Sequence, residues 1–438
     1  MVRMRKPVGA AILSAIMFGL GQLSNRQWTK GIVFAAFGAI GIYGLIFELF
    51  DHLIGLITLG TNPTGFVKVG KLTKMVEGDH SIFMMINGLV AVIAALLFVF
   101  YYVLNIRDAY LVAKAREAGE DVRNFRQSLS SLGQKNFAYI ILLPAFLTIS
   151  FLTVLPLVFS ILIAFTNYAD PILPPARLVD WVGFDNFSKM LSLKQWSHTF
   201  GGVLQWTLIW AVIATTTTYI GGVLVAVLIH QPRVRFKKFW RTALIIPFAI
   251  PNMISLLVMR NMFNNQFGPI NDYLRRIGLG GLPWLTDPFW AKTTVILVNM
   301  WIGIPITMIL AFGVLTTIPK DLYEAADTDG ASSYHRLRYI TMPMVLFSTA
   351  PILIMQFAGN INNFNVIYLL TNGEPVNINY QFAGHTDLLV TWLYKLALNQ
   401  SQFSFASVIG IFIFLIVGSI SIWSYTRTRS YREEDMIQ

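Results

Sequence analysis

The stretch EAADTDGASSYHRLRYITMP, Glu324 to Pro343, is a polar, helix-prone run set between two strongly apolar ones. It carries three acids, three bases and a central glycine, Gly330, so it lies in water or against a partner. The apolar runs elsewhere in the chain exceed the roughly 18 to 20 residues that a helix needs to cross a hydrocarbon core. The polar stretch therefore reads as a loop at a membrane face. Composition agrees: of 438 residues, 55% are hydrophobic and 13% charged, more apolar side chain than a soluble domain needs to close a core. The runs are continuous rather than alternating, which predicts helices and not a β-barrel.

The expected fold is an all-α polytopic membrane protein with eight spans, near 30–50, 81–105, 137–167, 201–230, 242–263, 291–317, 343–370 and 403–425. Basic residues alternate between the connecting segments. Arg107, Lys114, Arg116, Arg123, Arg126 and Lys135 crowd one loop, and Arg233, Arg235, Lys237, Lys238 and Arg241 crowd the loop two spans later. An excess of Lys and Arg marks cytoplasmic loops. The same parity places Arg3, Arg5 and Lys6, the opening stretch with Lys320, Arg336 and Arg338, and Arg427, Arg429 and Arg432 in the cytoplasm, so both termini are expected inside. Lys68, Lys71 and Lys74 run against the asymmetry, which is a statistical rule. TNYADPILPPARLVDWVGFDNF, Thr166 to Phe187, reads as an ordered extracytoplasmic loop. Residues 7–23 are apolar but short, and are expected to form an interfacial or re-entrant helix, with no small-residue cleavage site. A composition break near residue 136 separates this helix, two spans and a basic connector (1–136) from a six-span block (137–430) and a cytoplasmic tail (431–438).

Enzyme chemistry finds little support. The chain has no cysteine, which removes disulfides, thiolate catalysis and sulfur-ligated metals. GFVKVGKLT, Gly65 to Thr73, nearly spells a phosphate-binding loop, but Leu72 stands where a Ser or Thr would hold magnesium and no strand-to-helix context surrounds it. The six histidines are scattered without metal-ligand spacing. There is no Gly-x-Ser-x-Gly elbow. No catalytic residue, metal or cofactor is expected. The block's spans are nearly free of ionisable residues apart from ends such as Arg260, whereas ion-driven carriers place such groups at membrane depth.

The block does carry uncharged amides at that depth. ILVNMWIGIPITMIL, Ile296 to Leu310, holds Asn299 and Trp301 beside Gly303 and Pro305. QFAGNINNFNVIYLL, Gln356 to Leu370, holds Gln356, Asn360, Asn362, Asn363 and Asn365. An amide in hydrocarbon without a partner is unfavourable by several kcal/mol. Such groups either bond helices together or line a polar site. Asn360 and Asn363, at i and i+3, are expected on one helical face. Neutral amides and aromatic rings suit the hydroxyls and apolar faces of a sugar better than an inorganic ion.

In the opening stretch, Pro319 and Asp321 start a helix, Gly330 ends or bends it, a second helix follows from about Ser332 to Ile340, and Pro343 reopens the next span. Two short helices tied to spans on both sides can transmit a push into the membrane. The spacing Glu-Ala-Ala, three residues, Gly, nine residues, Ile-x-Met-Pro resembles the EAA motif of ABC importer permeases, with Met342 in place of the usual Leu. That resemblance implies that Glu324, Ala325, Ala326, Gly330, Ile340 and Pro343 belong to a coupling loop, 318–343, which docks on an ATPase subunit.

From about residue 137 onward the chain resembles the larger permease subunit of maltose and maltodextrin importers, in NMWIGIP (299–305), NNFNVIYLLTNGEP (362–375) and AGHTDLLVTWLYKLA (383–397). The resemblance implies a type I ABC importer core of six helices and extra spans before it. It also implies a heterodimer with a second permease, two ABC ATPase subunits that do the ATP hydrolysis, an extracytoplasmic sugar-binding protein, and a place in the bacterial cell membrane. The matching sugar-site positions are Asn299, Ile302, Gly303, Asn360 and Asn363, with Gln356 and Gly359 at neighbouring site positions. Ile306 and Gly359 stand where that pattern has aromatic residues, so one or two stacking surfaces are either missing or supplied elsewhere, with Trp301 and Phe364 as candidates. Glu374 replaces the second glycine of the common Gly-Gly-Pro, and the outer loop at 168–200 is short, compatible with a lipid-anchored binding protein. The expected cargo is a maltodextrin. A galacto-oligosaccharide or another glycan is the alternative within the class, and an ion-coupled sugar carrier the alternative outside it.

Overall fold

The computed structural model describes residues 7–69, 72–122, 125, 127, 137–231 and 233–426. Arg3, Arg5, Lys6, Arg123, Arg126, Lys135, Arg427, Arg429, Arg432 and the tail 431–438 lie outside them. Among the described residues, seven helices are long and apolar enough to cross a membrane, or eight if one bent pair counts as a span. The chain divides into two compact units, Met1–Gly183 and Phe184–Gln438. The stretch 137–163, expected to open the core block, thus falls in the first unit, where its end, Leu155–Ile163, packs on helix Ser81–Glu117.

In the first unit, residues 7–23 form two short helices, Pro7–Ile16 and Leu20–Ser24, instead of one. The turn between them needs Gly19, whose φ is +79° and where a Cβ would lie 2.1 Å from the Gly31 carbonyl oxygen. The pair is held to Ser81–Glu117 by Asn105, which donates from Nδ2 to the Ser14 carbonyl at 2.9 Å and accepts from the Gly19 N–H at 3.2 Å. Lys30 and Asp108 add an ion pair at 2.5 Å. Helix Trp28–Thr58 follows. The near phosphate-loop stretch is an antiparallel hairpin, Gly65–Val69 with Leu72–Val76, a small departure from an all-α chain. Gly70 and Lys71 are not among the described residues. The helical stretch from Phe137 through Val154 buries no side chain within the chain. The segment Thr166 to Phe187 is held by hydrogen bonds: the Asn167 N–H donates to the Asp180 carbonyl at 3.1 Å, and Trp181 donates from Nε1 to the Ile57 carbonyl at 2.9 Å.

In the second unit, Asp185–Ser192 precedes the long helix Lys194–His230, so the segment expected as a loop to residue 200 is largely helical. The expected span at 242–263 is two helices, Lys237–Ala249 and Asn252–Met262, bent by 91°. The cause is Pro251, which excludes helical geometry from the residue before it; Ile250 is extended at φ −84°, ψ 133°. Pro269–Arg276 and Pro288–Thr317 come next.

Lys194–His230 and Pro288–Thr317 approach closely at reciprocal glycines. A Cβ on Gly222 would lie 2.4 Å from the Thr307 Cβ, and one on Gly303 would lie 2.7 Å from the Thr218 Cγ2. Small residues at a crossing let backbones close up where lipid offers no hydrophobic drive for association. Towards one end of this pair, Trp206, Trp210, Val295 and Val298 pack with Val366, Ile367 and Leu370; towards the other, Tyr219, Val223 and Ala226 pack with Met308, Leu315 and Val345. The segment joining Leu370 to the last helix, Phe403–Thr426, is anchored by buried Asp387, which accepts from the Gly384 N–H at 2.7 Å and pairs with Lys395 at 2.7 Å. Burial pushes that carboxyl up from its ordinary range, and Lys395 pulls it back.

Candidate transport site and coupling surface

The span Ser333–Leu370 is interrupted near its far end, at Asn362 and Asn363. Helix Met342–Ile361 ends at Asn362, and a new helix, Phe364–Leu370, starts with Asn363 as its N-cap, the side-chain oxygen accepting from the Val366 N–H at 3.4 Å. Asn360 and Asn363 therefore do not share one helical face. They meet across the break, where Asn363 Nδ2 lies 3.4 Å from Asn360 Oδ1 and 3.2 Å from Asn299 Oδ1. Asn360 donates in turn from Nδ2 to the Thr215 hydroxyl at 2.9 Å, and its carbonyl, one of those a helix end leaves without an in-helix partner, accepts from Trp210 Nε1 at 3.0 Å. One turn before Asn360, Gln356 donates to the Thr218 hydroxyl at 3.2 Å. Tyr219 and Thr349 share a hydrogen bond of 2.8 Å further along.

Asn299 and Asn360 are buried, and Asn363 and Gln356 half-buried. The amide-to-amide bonds are long, one at the limit of the normal range and one beyond it, and Asn299 Nδ2 donates to no side chain or backbone group among the described residues. Weak contacts and a spare donor are what a sugar hydroxyl can replace without leaving a polar group stranded. Of the other positions matched in the sequence, Ile302 packs against the aliphatic cluster around Trp210, and Gly303 serves the helix crossing at Thr218. Gly359 faces open space. Trp210, Thr215 and Thr218 were not anticipated. Four consecutive threonines, Thr215 to Thr218, at membrane depth were the available signal.

The stretch expected to couple to a partner is helix Lys320–Thr328 followed by Ser333–Arg336, which runs through a wider turn, Leu337–Thr341, straight into Met342–Ile361. Gly330 closes the first helix at φ +74°, with the Ala331 N–H donating to the Ala326 carbonyl at 2.9 Å, a C-terminal motif that favours glycine. Ser332 caps the second, and Arg336 pairs with Asp327 across the turn. The second piece is thus the start of the span and not a separate helix, because no residue between Ser333 and Pro343 breaks the backbone. Glu324, Ala325, Gly330 and Pro343 are exposed, and Ala326 and Ile340 are half-buried. Tyr323 and Ile340 pack against the cluster of Tyr219, Met308 and Val345, and the Tyr323 hydroxyl bonds Thr341 at 2.9 Å. The helix is therefore packed against the two spans that carry the amides and against Lys194–His230, which bears their threonine partners.

Bundle, amide cluster and flanking helical turn define a polytopic membrane permease. A family model described as "Binding-protein-dependent transport system inner membrane component" matches residues 219–429. The galactooligosaccharides transport system permease protein GanP of Bacillus subtilis (strain 168) is 39% identical over 430 residues, covering 97% of this chain and 98% of that one. The maltodextrin transport system permease protein MdxF of the same organism is 36% identical over 434 residues, covering 97% of each chain. A crystal structure of a bacterial ABC transporter involved in the import of the acidic polysaccharide alginate matches 69% of this chain and 98% of that chain, with a TM-score of 0.56 at 22% identity, and so shares the fold. The chain belongs to the binding-protein-dependent inner membrane transport family and is a permease subunit of a sugar-importing ABC transporter. Membership leaves the ion-coupled carrier without support.

Proposed function

We propose that this permease carries neutral oligosaccharides, maltodextrins first among them, with the amide cluster of Asn299, Asn360 and Asn363 as the point where sugar hydroxyls are held in the membrane. The observation that carries the proposal is that cluster: three amides from two spans, joined at a helix break, with weak mutual bonds and a spare donor. Gln356 and Gly359 line its flank, and Ile302 and Gly303 set the helix spacing beneath it. A second permease completes the pathway, an extracytoplasmic binding protein delivers the sugar, and two partner ATPase subunits hydrolyse ATP. Their closure moves the coupling loop, with Glu324, Ala325 and Ala326 on its docking face, and switches the spans between inward- and outward-facing states. A galacto-oligosaccharide cargo is the second reading, favoured by the 39% identity to GanP.

Uptake of labelled maltotriose against labelled galactobiose, in cells that carry this chain and its partners as their sole importer, decides between the cargoes. Faster maltotriose uptake supports the first reading, and galactobiose alone supports the second. Sidedness has its own test, because a chain with no cysteine accepts single reporter cysteines. Ser332→Cys is expected to react with an impermeant maleimide only in inverted vesicles, and Asn377→Cys only in intact cells. The reverse pattern would overturn the cytoplasmic placement of the coupling loop and termini.

A further inference from the structure

Three aromatic rings stand next to the amide cluster, on the side away from the coupling helix. Phe364 follows Asn363 directly, and its ring stacks on Tyr368 one turn later, with centroids 4.8 Å apart and planes 19° apart. Tyr394, from the separate helix Leu389–Tyr394, closes on both, 4.9 Å from Phe364 and 5.1 Å from Tyr368. The opposite face of the short helix, with Val366, Ile367 and Leu370, is buried in the apolar cluster around Trp210. The three rings are left only half-buried.

The amides supply donors and acceptors but no flat face, and Trp210, whose indole is tied to Asn360, is fully buried. A pyranose presents both a hydroxyl edge and an apolar C–H face, and binding sites meet the second with aromatic rings. Asn363 caps the helix that carries Phe364 and Tyr368, so the amide and these two rings are positioned by one element.

We propose that Phe364, Tyr368 and Tyr394 form a stacking subsite for the sugar unit adjoining the one held by the amides. This rests on the oligosaccharide reading. A disaccharide rests chiefly on the amides, whereas a longer oligosaccharide fills both places, so the rings set the preference for chain length.

The test uses the whole importer in proteoliposomes with saturating sugar-loaded binding protein, and compares turnover for maltose and maltotriose. Phe364→Leu and Tyr394→Leu keep apolar volume and lose the flat face; Phe364→Tyr and Tyr394→Phe keep the face. Maltotriose turnover is expected to fall at least fivefold in the leucine variants while maltose turnover falls less than twofold, with the aromatic replacements within twofold of the unmodified chain. Leucine variants that transport both sugars normally, or lose both equally, would overturn the subsite, as would aromatic replacements that fail as badly as leucine. If the unmodified importer moves neither these sugars nor galactobiose and galactotriose, the oligosaccharide reading itself falls, and the subsite with it. If it moves only the galacto pair, the same comparison is made with that pair.

Discussion

Glu324→Lys is expected to abolish sugar-stimulated ATP hydrolysis by the assembled importer while the two permeases remain associated. The side chain of Glu324 is exposed on helix Lys320–Thr328 and takes part in no ion pair among the described residues. Reversing its charge leaves the fold nearly untouched, since surface substitutions of this kind usually change stability by less than about 0.5 kcal/mol. At an interface the same reversal acts differently. Loss of a docked charge contact weakens binding by about 2–5 kcal/mol, enough to uncouple the ATPase from the spans. A contrasting variant sharpens the result: Tyr323→Ala removes the ring that wedges the helix against Met308 and Val345, so it should permit docking yet lower transport per ATP hydrolysed. An ATPase rate in Glu324→Lys equal to that of the unmodified complex would sink the coupling assignment.

Asn360→Ala and Asn363→Ala should each reduce oligosaccharide uptake at least tenfold at normal membrane abundance. A site that hydrogen-bonds its substrate loses about 1–3 kcal/mol for each polar group left unpaired. Asn363 has two duties, amide donor and helix cap, and an N-cap contributes about 1 kcal/mol. Asn363→Ser separates them, since serine keeps a capping oxygen and loses the amide. Stability restored without uptake would assign Asn363 to the sugar. Normal uptake in both alanine variants would return the amides to a helix-bonding role.

Much of the membrane architecture was legible because it depends on local quantities. A helix satisfies its own backbone, so a continuous apolar run of sufficient length reports a span wherever it packs. The kinks were less visible. Pro251 was present in the sequence, yet the apolar run across 242–263 continued through it, and only the extended geometry of Ile250 shows the chain turning by 91°. The break at Asn362 had no proline to announce it.

The candidate site divides along the same line. Asn299, Asn360 and Asn363 stood out because an amide at membrane depth needs a partner, but which partner is a question of long-range contact. Asn360 bonds Thr215, 145 residues away, and Gln356 bonds Thr218, 138 residues away. No periodicity within one helix encodes such a pairing. Gly303 matched a sugar-site position by motif, and the structure shows what its missing Cβ does: it lets Thr218 approach.

By itself the sequence determined a multi-span helical permease with a polar stretch from Glu324 to Pro343 between two spans, since apolar length and that spacing are properties of neighbours along the chain. Only the tertiary structure decided that helix Lys320–Thr328 is packed through Tyr323 against the spans that bear the amides, and that those amides converge across a helix break. Convergence depends on how helices cross, and crossing is set by the fit of distant surfaces such as Gly222 against Thr307.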